Sequence, residues 1–544
     1  MSSRSAPILV LGLDGATFDV ITPLARAGRL PHLARWMQEG CARPLRSTTP
    51  PMSFPAWSTF LTGVEPGEHG IFDFTQKVPG AYRLDFVNAS HRRVPSLLAR
   101  ATRAGRRVLA LGIPATFPPE PVDGLVVSGF DAPVSSGTDE RSASDPALYR
   151  EIAAAVGPWK RPDLDESGRD GAFYERALDT LLARVESKTR FAVEALRRLT
   201  NDGGRPDLAI VVFAESDTVA HHYWRDHDPA SPRHDPQADA KRRGAIAAVY
   251  ERLDAACGAL HTALGEDATC VVLSDHGAGG AARRVVHLNR HLEDAGLLQR
   301  RGTSAFDGVA RYARDTALRV LPPGIVQSLF RRAQGAAARV ESAARFGGLD
   351  WSRTRAFSEE VNTQPGVWIN LRDREAAGCV AQNDYERVRD EVVAALVDWR
   401  LPDGQAVVAW ARRREDVYSG PHSALAPDIV VELALDAGYG LSLVPTPWTQ
   451  HDRSVTELSD HELGGGRGRG MNGTHRPDGI WIADATAAQW LGEVPRLADV
   501  APGLLRALGA EDAEPIGNAE ETQPYSAEEE ERVAARLRAL GYLD

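Results

Sequence analysis

Acidic and imidazole side chains lie beside four short apolar segments of this chain, and their order constrains the fold more than any other feature. The segments are residues 8–13, 208–213, 270–274 and 479–482. Apolar segments of this length, alternating with amphipathic ones, predict a mostly parallel sheet with helices on its faces. The side chains beside them are Asp14, Asp217, His221, Asp275, His276 and His475. Ligands of an α/β sheet collect at the carboxyl ends of its strands, so we expect these residues to share one site.

The predicted elements up to residue 300 follow this alternation of strand and helix. Apolar runs predict strands at 7–13, 107–113, 125–129, 208–214 and 269–274. Amphipathic patterns predict helices at 19–39, 55–62, 92–104, 172–199 and 241–264. The pattern therefore indicates one large α/β fold.

Residues 300–349 differ in character from the segments on either side. They are rich in Arg and Ala, and a pair of prolines divides them into two helical patterns. Strand-like segments resume afterwards, and the last predicted ligand follows them. We therefore expect residues 1–299 and 350–544 to form one domain that carries the site, with 300–349 inserted as a helical cap.

Charge and cysteine content indicate which partners the protein can bind and in which cellular compartment it is expected. The formal net charge at pH 7 is 63 − 74 = −11, which argues against binding to a nucleic-acid polymer but allows a small anionic substrate in a local basic pocket. The four cysteines form no CxxC pair and predict reduced thiols. No signal-peptide segment and no apolar stretch of about 18 residues is visible, so we expect a cytoplasmic protein without a membrane span. No feature indicates an oligomeric state.

The candidate ligands divide into two sets of mixed nitrogen and oxygen donors. The first set is Asp217, His221 and His475, and the second is Asp14, Asp275 and His276, with Ser53 as a further oxygen ligand. Asp217 and His221 are four residues apart, so a helix beginning near Asp217 would place both on one face. Imidazole with carboxylate suits zinc. Two divalent metals about 4 Å apart stabilise the attacking and leaving oxygens at phosphorus, so the pattern predicts a two-zinc hydrolase.

Ser53 supplies a hydroxyl where a helix is expected to begin. Pro55 suits an early helical position, and free N–H groups at the helix start would face a bound phosphate. Metal coordination lowers the pKa of a serine hydroxyl and makes it a better nucleophile. We predict that Ser53 binds the second metal and attacks phosphorus. Thr48 and Thr49 are rival nucleophiles, and a simple N-cap is the alternative role for Ser53.

These motifs resemble the alkaline phosphatase superfamily, specifically its bacterial type I phosphodiesterase/nucleotide pyrophosphatase family. The resemblance is carried by residues 11–17, 28–33, 53–57, 61–63, 66–74, 217–221, 274–277 and 473–479. It implies an alkaline-phosphatase-like three-layer α/β sandwich with a central, mostly parallel sheet, an inserted cap and two zinc ions. It also implies the same division of ligands, with Ser53 as nucleophile where many relatives have Thr.

One position departs from the family pattern. Nucleotide pyrophosphatases commonly have an Asn after the Phe-Pro of this motif, where it helps hold the phosphoryl oxygens, and this chain has Ala56. Asn472, Arg467 and Arg469 are candidate replacements for that donor. The departure weakens the case for nucleotide pyrophosphate hydrolysis relative to phosphoester hydrolysis in general.

The predicted function is metal-dependent hydrolysis of phosphodiester bonds, with nucleotide pyrophosphates among the possible substrates, through a phosphoseryl intermediate. A phosphomonoesterase or phosphonate hydrolase of the same superfamily is the first alternative. Sulfatases of the common type need Arg in a Cys/Ser-x-Pro-x-Arg segment, and Trp57 occupies that position here. A non-catalytic binding protein with the same fold is the remaining alternative.

Overall fold

The computed structural model describes most of the chain. The described residues are 6–130, 132, 140–160, 164, 173–301, 346, 348–360, 365–446, 453–463, 471–492, 495–512 and 525–539. The strands are β1 (Ile8–Leu13), β2 (Cys41–Arg46), β3 (Thr75–Lys77), β4 (Leu84–Phe86), β5 (Val108–Leu111), β6 (Gly124–Val127), β7 (Leu208–Phe213), β8 (Thr269–Leu273), β9 (Gly277–Val286), β10 (Ala356–Phe357), β11 (Gly366–Ile369), β12 (Val408–Arg413), β13 (Ile429–Leu433), β14 (Leu435–Asp436), β15 (Tyr439–Leu443), β16 (Val455–Glu457), β17 (Gly473–Arg476) and β18 (Asp478–Ala483). The α-helices span Phe18–Arg26, Pro31–Glu39, Ser53–Thr62, Pro66–His69, Leu97–Arg103, Pro146–Val156, Phe173–Asn201, Glu215–His227, Ala240–Arg243, Ala245–Leu264, Leu288–Asp294, Tyr385–Val397, Arg414–Val417, Asp460–Leu463, Val500–Ala507 and Ala527–Ala539.

A seven-stranded sheet with the order β2-β18-β8-β1-β7-β5-β6 forms the centre of the fold. Strands β8, β1, β7, β5 and β6 are parallel to one another. Strand β18 runs antiparallel to both β8 and β2. The predicted α/β class and the mostly parallel sheet are therefore confirmed, and the five strands expected from the apolar runs are all members of this sheet.

Helices cover both faces of the sheet, as the side chains of β1 illustrate. Leu9 and Leu11 belong to one apolar cluster, whereas Ile8 and Val10 belong to another on the opposite face. Successive side chains of a strand point to opposite faces, so alternate residues bury against different helices. Every residue of β1 is buried. The arrangement is the expected three-layer sandwich.

Two predicted helices are divided or shortened in the structure because a proline lies at or near the first turn, and the helix predicted at 241–264 is interrupted at Gly244. The helix predicted at 19–39 is two helices, and the second begins at Pro31, which has no N–H to continue an earlier helix. Gly28 turns the chain between them with φ +73°. The helix predicted at 92–104 begins at Leu97, after Pro95, and the side chain of Ser96 caps it.

Two smaller sheets lie C-terminal to β8 in the chain. Strands β10, β11, β13 and β12 form one of them, and the helix Tyr385–Val397 packs into the same apolar cluster. Strand β9 begins just after β8 and belongs to the other, with β14, β15, β16 and β17. Most of the predicted cap at 300–349 lies outside the described residues, so the proposed division into domains stays a prediction.

Among the described residues, no helix has the length and apolar character needed to cross a bilayer. Cys41, Cys257, Cys270 and Cys379 are all unpaired thiols, as expected.

Candidate metal centre

Three adjacent strands bring the predicted carboxylates together. Strand β1 lies between β8 and β7, and all three run in the same direction. Asp14 follows β1, Asp275 lies just beyond β8, and Asp217 lies in the first turn of the helix Glu215–His227 that follows β7. The carboxyl ends of parallel strands meet at one edge of a sheet, which explains why residues so distant in sequence share a site.

His475 reaches this edge from strand β17 and not from an irregular loop. Strand β17 pairs with β9 in antiparallel register, so that His475 lies opposite Ala278. The His475 Nδ1 atom lies 3.0 Å from the main-chain oxygen of Pro51. In the same strand, the main-chain oxygen of Gly473 lies 2.8 Å from His221 Nδ1. Both contacts orient the rings so that their Nε2 atoms face the carboxylates.

The side chains of Asp217, His221 and His475 converge, so that each offers one ligand atom to a potential metal site. Asp217 Oδ1 is 3.2 Å from His221 Nε2 and 3.7 Å from His475 Nε2. The two Nε2 atoms are 3.1 Å apart. The helix places Asp217 and His221 one turn apart on one face, in the way that their spacing predicted.

The second group of ligand atoms that converges in the structure is Asp14, Asp217 and His276. His276 Nε2 is 3.6 Å from Asp14 Oδ1 and 3.4 Å from Asp275 Oδ2. Asp275 Oδ1 accepts a hydrogen bond from the Gly15 N–H at 3.2 Å. Asp217 therefore borders both groups, which the sequence did not indicate, and Asp275 lies beside the second.

Ser53 is the first residue of its helix, and its side chain is fully buried beside the second group. Its hydroxyl donates a hydrogen bond to Asp14 Oδ1 at 3.4 Å. Met52 is the N-cap, so the alternative role of Ser53 as a cap is not realised. The rival Thr48 donates its hydroxyl to Glu65 at 2.7 Å.

Several residues around the ligands were not identified from the sequence. The Trp57 indole N–H donates to Asp14 Oδ2 at 3.0 Å. Ser216 donates its hydroxyl to the Asp14 main-chain oxygen at 2.7 Å, and Ser274 donates its hydroxyl to the Ala16 main-chain oxygen at 3.0 Å. Trp57 lies four residues after Ser53 in the same helix. This spacing indicates that the two side chains lie on the same face of the helix.

Of the three residues suggested as replacements for the donor absent at Ala56, only Asn472 lies in the described part of the chain. The Asn472 side-chain amide donates to the main-chain oxygen of His222 at 3.1 Å. Arg467 and Arg469 lie outside the described residues. His234 and His287 are near the motifs in sequence, but each contacts a main-chain oxygen elsewhere, Arg225 and Val444 respectively.

Burial and mutual repulsion perturb the charges of these carboxylates. Burial raises the pKa of Asp14 well above its ordinary value, and the charges of Asp275 and Asp217 add to this shift. Burial also raises the pKa of Asp275, to about 8. Burial would raise the pKa of Asp217 too, but His221 and His475 together lower it below its ordinary value. Three carboxylates crowded in this way favour a compensating positive charge.

The donor set fits divalent metal ions. Within the described part of the chain, Asp275 Oδ2 and His276 Nε2 are buried and make no hydrogen bond, although buried polar atoms normally do. Burial lowers the pKa of His475 well below its ordinary value, with His276 acting in the same direction, which favours the neutral imidazole that a metal requires. Carboxylate oxygens and imidazole nitrogens suit zinc.

A buried ion pair supports the helix that carries Asp217 and His221. Lys188 Nζ lies 2.7 Å from Glu215 Oε1, and the two side chains are 3% and 0% exposed. Removing one partner of a buried ion pair leaves the other charge buried without a partner, which lowers the free energy of unfolding by about 3–5 kcal/mol. We expect Lys188→Met to lower the free energy of unfolding by that amount, as measured by urea denaturation.

A surface pair provides the matched control for Lys188. Lys241 lies 2.9 Å from Asp179, and these side chains are 44% and 68% exposed. Lys241→Met should cost about 1 kcal/mol or less, since exposed pairs contribute little. If both substitutions lowered the free energy of unfolding by the same amount, the buried pair would contribute no more to stability than the exposed pair.

A family model matches most of this chain, and several solved structures are similar to it. The family model described as type I phosphodiesterase / nucleotide pyrophosphatase matches residues 8–442, a range that contains every predicted site residue except His475. Among solved structures, the chain is similar to phosphonoacetate hydrolase from Sinorhizobium meliloti 1021, with 16% identity, a TM-score of 0.49, and coverage of 93% of this chain and 96% of that chain. It is also similar to murine ectonucleotide pyrophosphatase / phosphodiesterase 5, with 12% identity, a TM-score of 0.44, and coverage of 94% and 97%.

Proposed function

The chain belongs to the type I phosphodiesterase / nucleotide pyrophosphatase family, and from that premise we propose that it hydrolyses phosphodiester bonds with Ser53 as nucleophile at a two-zinc site. The observation that carries the proposal is the hydrogen bond of 3.4 Å from the Ser53 hydroxyl to Asp14, beside the two groups of ligand atoms. A hydroxyl buried among carboxylates and imidazoles is well placed for activation by a metal.

The chain's own donors divide between the two ions. Asp217, His221 and His475 would hold one zinc, and Asp14, Asp275, His276 and Ser53 would hold the other, with Asp217 bordering both. When bound, such ions lower the pKa of a coordinated hydroxyl and stabilise charge on phosphoryl oxygens.

The start of the Ser53 helix supplies donors for the phosphoryl group. The first hydrogen bond of this helix runs from the Ala56 N–H to the Met52 oxygen. The N–H groups of Ser53 and Phe54 precede it, and Pro55 has none. Free N–H groups at a helix start bind phosphate oxygens. We propose that they replace the side-chain amide of the Asn that relatives commonly have at the position of Ala56.

The reaction that we propose has two displacements at phosphorus. The Ser53 Oγ atom forms a bond to phosphorus as the bond to the leaving oxygen breaks; the serine proton passes to solvent, and the leaving oxygen takes a proton from solvent. The intermediate is a serine phosphodiester that still carries the second ester group of the substrate. Water then attacks its phosphorus, the bond from phosphorus to Ser53 Oγ breaks, Oγ regains a proton, and a phosphomonoester is released.

A substrate panel tests the proposed bond specificity. With zinc present, we expect kcat/KM for bis-p-nitrophenyl phosphate to exceed that for p-nitrophenyl phosphate and p-nitrophenyl phenylphosphonate by about tenfold or more, a difference of about 1.4 kcal/mol in transition-state binding. p-Nitrophenyl sulfate should be the poorest substrate. Preference for the monoester or the phosphonate would overturn the diesterase assignment, and no turnover with metal bound would favour a binding protein.

A further inference from the structure

The Trp57 indole contacts Asp14 on the side opposite the hydroxyl of Ser53. Its N–H donates to Asp14 Oδ2 at 3.0 Å, and both side chains are buried. An indole N–H only donates, so the contact requires an accepting carboxylate oxygen. The contact holds one carboxylate oxygen in place and so restrains the rotation of the carboxylate. Such a hydrogen bond is about twice as strong when the acceptor is charged, as Asp14 would be when it binds a metal.

One helix provides both contacts to Asp14. Ser53 and Trp57 are four residues apart in Ser53–Thr62 and therefore lie on one face. Ser53 contacts Oδ1, which also lies 3.6 Å from His276 Nε2, whereas Trp57 contacts Oδ2. The two oxygens thus have different neighbours, with Oδ1 directed to the nucleophile and the second group of ligands.

Strand β1 makes room for the indole. A Cβ atom at Gly12 would lie only 2.6 Å from the Cη2 atom of Trp57, so this strand position favours glycine. The Trp57 ring also makes an edge contact with Phe60, with ring centroids 5.3 Å apart. The indole is fully buried and is therefore held by packing as well as by its hydrogen bond.

We propose that Trp57 is a positioning residue that holds Asp14 in the orientation needed to bind the second metal. Trp57 acts through Asp14 and touches none of the reacting atoms. The inference rests on the proposed function only in taking Asp14 as a metal ligand. Hydrogen-bond partners of metal ligands typically contribute 10–100-fold to metal affinity or activity, which sets the expected size of the effect.

Trp481 provides a matched control for removal of the indole N–H. It is a buried tryptophan on β18 of the central sheet, in the same apolar cluster as Trp57. Within the described residues its Nε1 atom makes no hydrogen bond. Trp→Phe at either position removes the same atoms from the core, but only Trp57→Phe removes a donor to Asp14.

The test is a competition titration of the metal-depleted protein with Zn²⁺ and a chromophoric chelator. We expect Trp57→Phe to weaken one of two zinc sites by about 10–100-fold, and Trp481→Phe to leave both sites within about twofold of wild type. Asp14→Asn identifies the affected site, and adding Trp57→Phe to Asp14→Asn should weaken that site no further, because the two residues act as one unit. Wild-type zinc affinity in Trp57→Phe would overturn the proposal.

This readout is separate from turnover. If Ser53 proved not to be the nucleophile, the zinc titration would still decide the role of Trp57. If Trp57→Phe fails to fold, Trp57 replaced by β-(3-benzothienyl)alanine exchanges the N–H for sulfur in a ring of nearly the same shape. Weakened binding of one zinc by this variant would support the proposal, and unchanged binding would overturn it.

Discussion

Replacing Ser53 with alanine should lower turnover by about 10³-fold or more while both metals stay bound. Alanine removes the attacking oxygen but leaves every Asp and His ligand in place, so the residual rate would come from metal-activated water. The fold should survive, because Ser53 is not the helix cap and, among the described residues, its hydroxyl makes one hydrogen bond, to Asp14. Losing a bond of this kind costs about 1 kcal/mol. The measurements are kcat with bis-p-nitrophenyl phosphate and zinc content.

Ser58 is the matched control for this substitution. It lies in the same helix and is fully buried, and within the described residues its hydroxyl makes no hydrogen bond. Ser58→Ala should keep turnover close to wild type, and Ser53→Thr should keep measurable activity because the hydroxyl stays on the same carbon. Wild-type turnover in zinc-loaded Ser53→Ala would mean that another group attacks, and the nucleophile assignment would have to be withdrawn.

Removing the metals should abolish hydrolysis and destabilise the fold. We expect the purified protein to bind two zinc equivalents, because the site offers mixed nitrogen and oxygen donors around crowded carboxylates. At a free zinc concentration 1,000 times the Kd of a site, loss of that ion should lower the free energy of unfolding by about 4 kcal/mol. Assays of hydrolysis and denaturation experiments, each with and without chelator, measure the two effects, and elemental analysis measures the bound zinc.

Metal specificity is the control for chelation. Added Zn²⁺ should restore activity, whereas Ca²⁺ should not, since calcium prefers sites built from oxygen ligands alone. Asp217→Asn should lower the affinity for zinc at both sites, because Asp217 borders both groups of ligand atoms. Full activity in protein shown to be free of metal would contradict the two-zinc assignment.

The five parallel strands of the central sheet were predictable because each is a local apolar run, whereas β2 and β9 were not predicted. Strand β7 is an unbroken apolar run, which is how a strand buried on both faces of a parallel sheet appears in sequence. Helix bounds were less predictable, because the apolar periodicity continued across the points where two helices begin. Pro31 and Pro95 were the sequence signals that marked these points. The role of 300–349 as a cap remains a prediction.

The type of fold and the chemistry of the donors follow from the amino-acid sequence, because strand patterns and side-chain identity are local properties. Which donors meet depends on the three-dimensional fold. The order β8-β1-β7 sets Asp217 between the two groups of ligand atoms, and β17 brings His475 against Pro51. The contact of Trp57 with Asp14 also joins distant parts of the chain. Such contacts depend on how strands are ordered and helices packed across the sheet, and no local pattern of residues specifies that order.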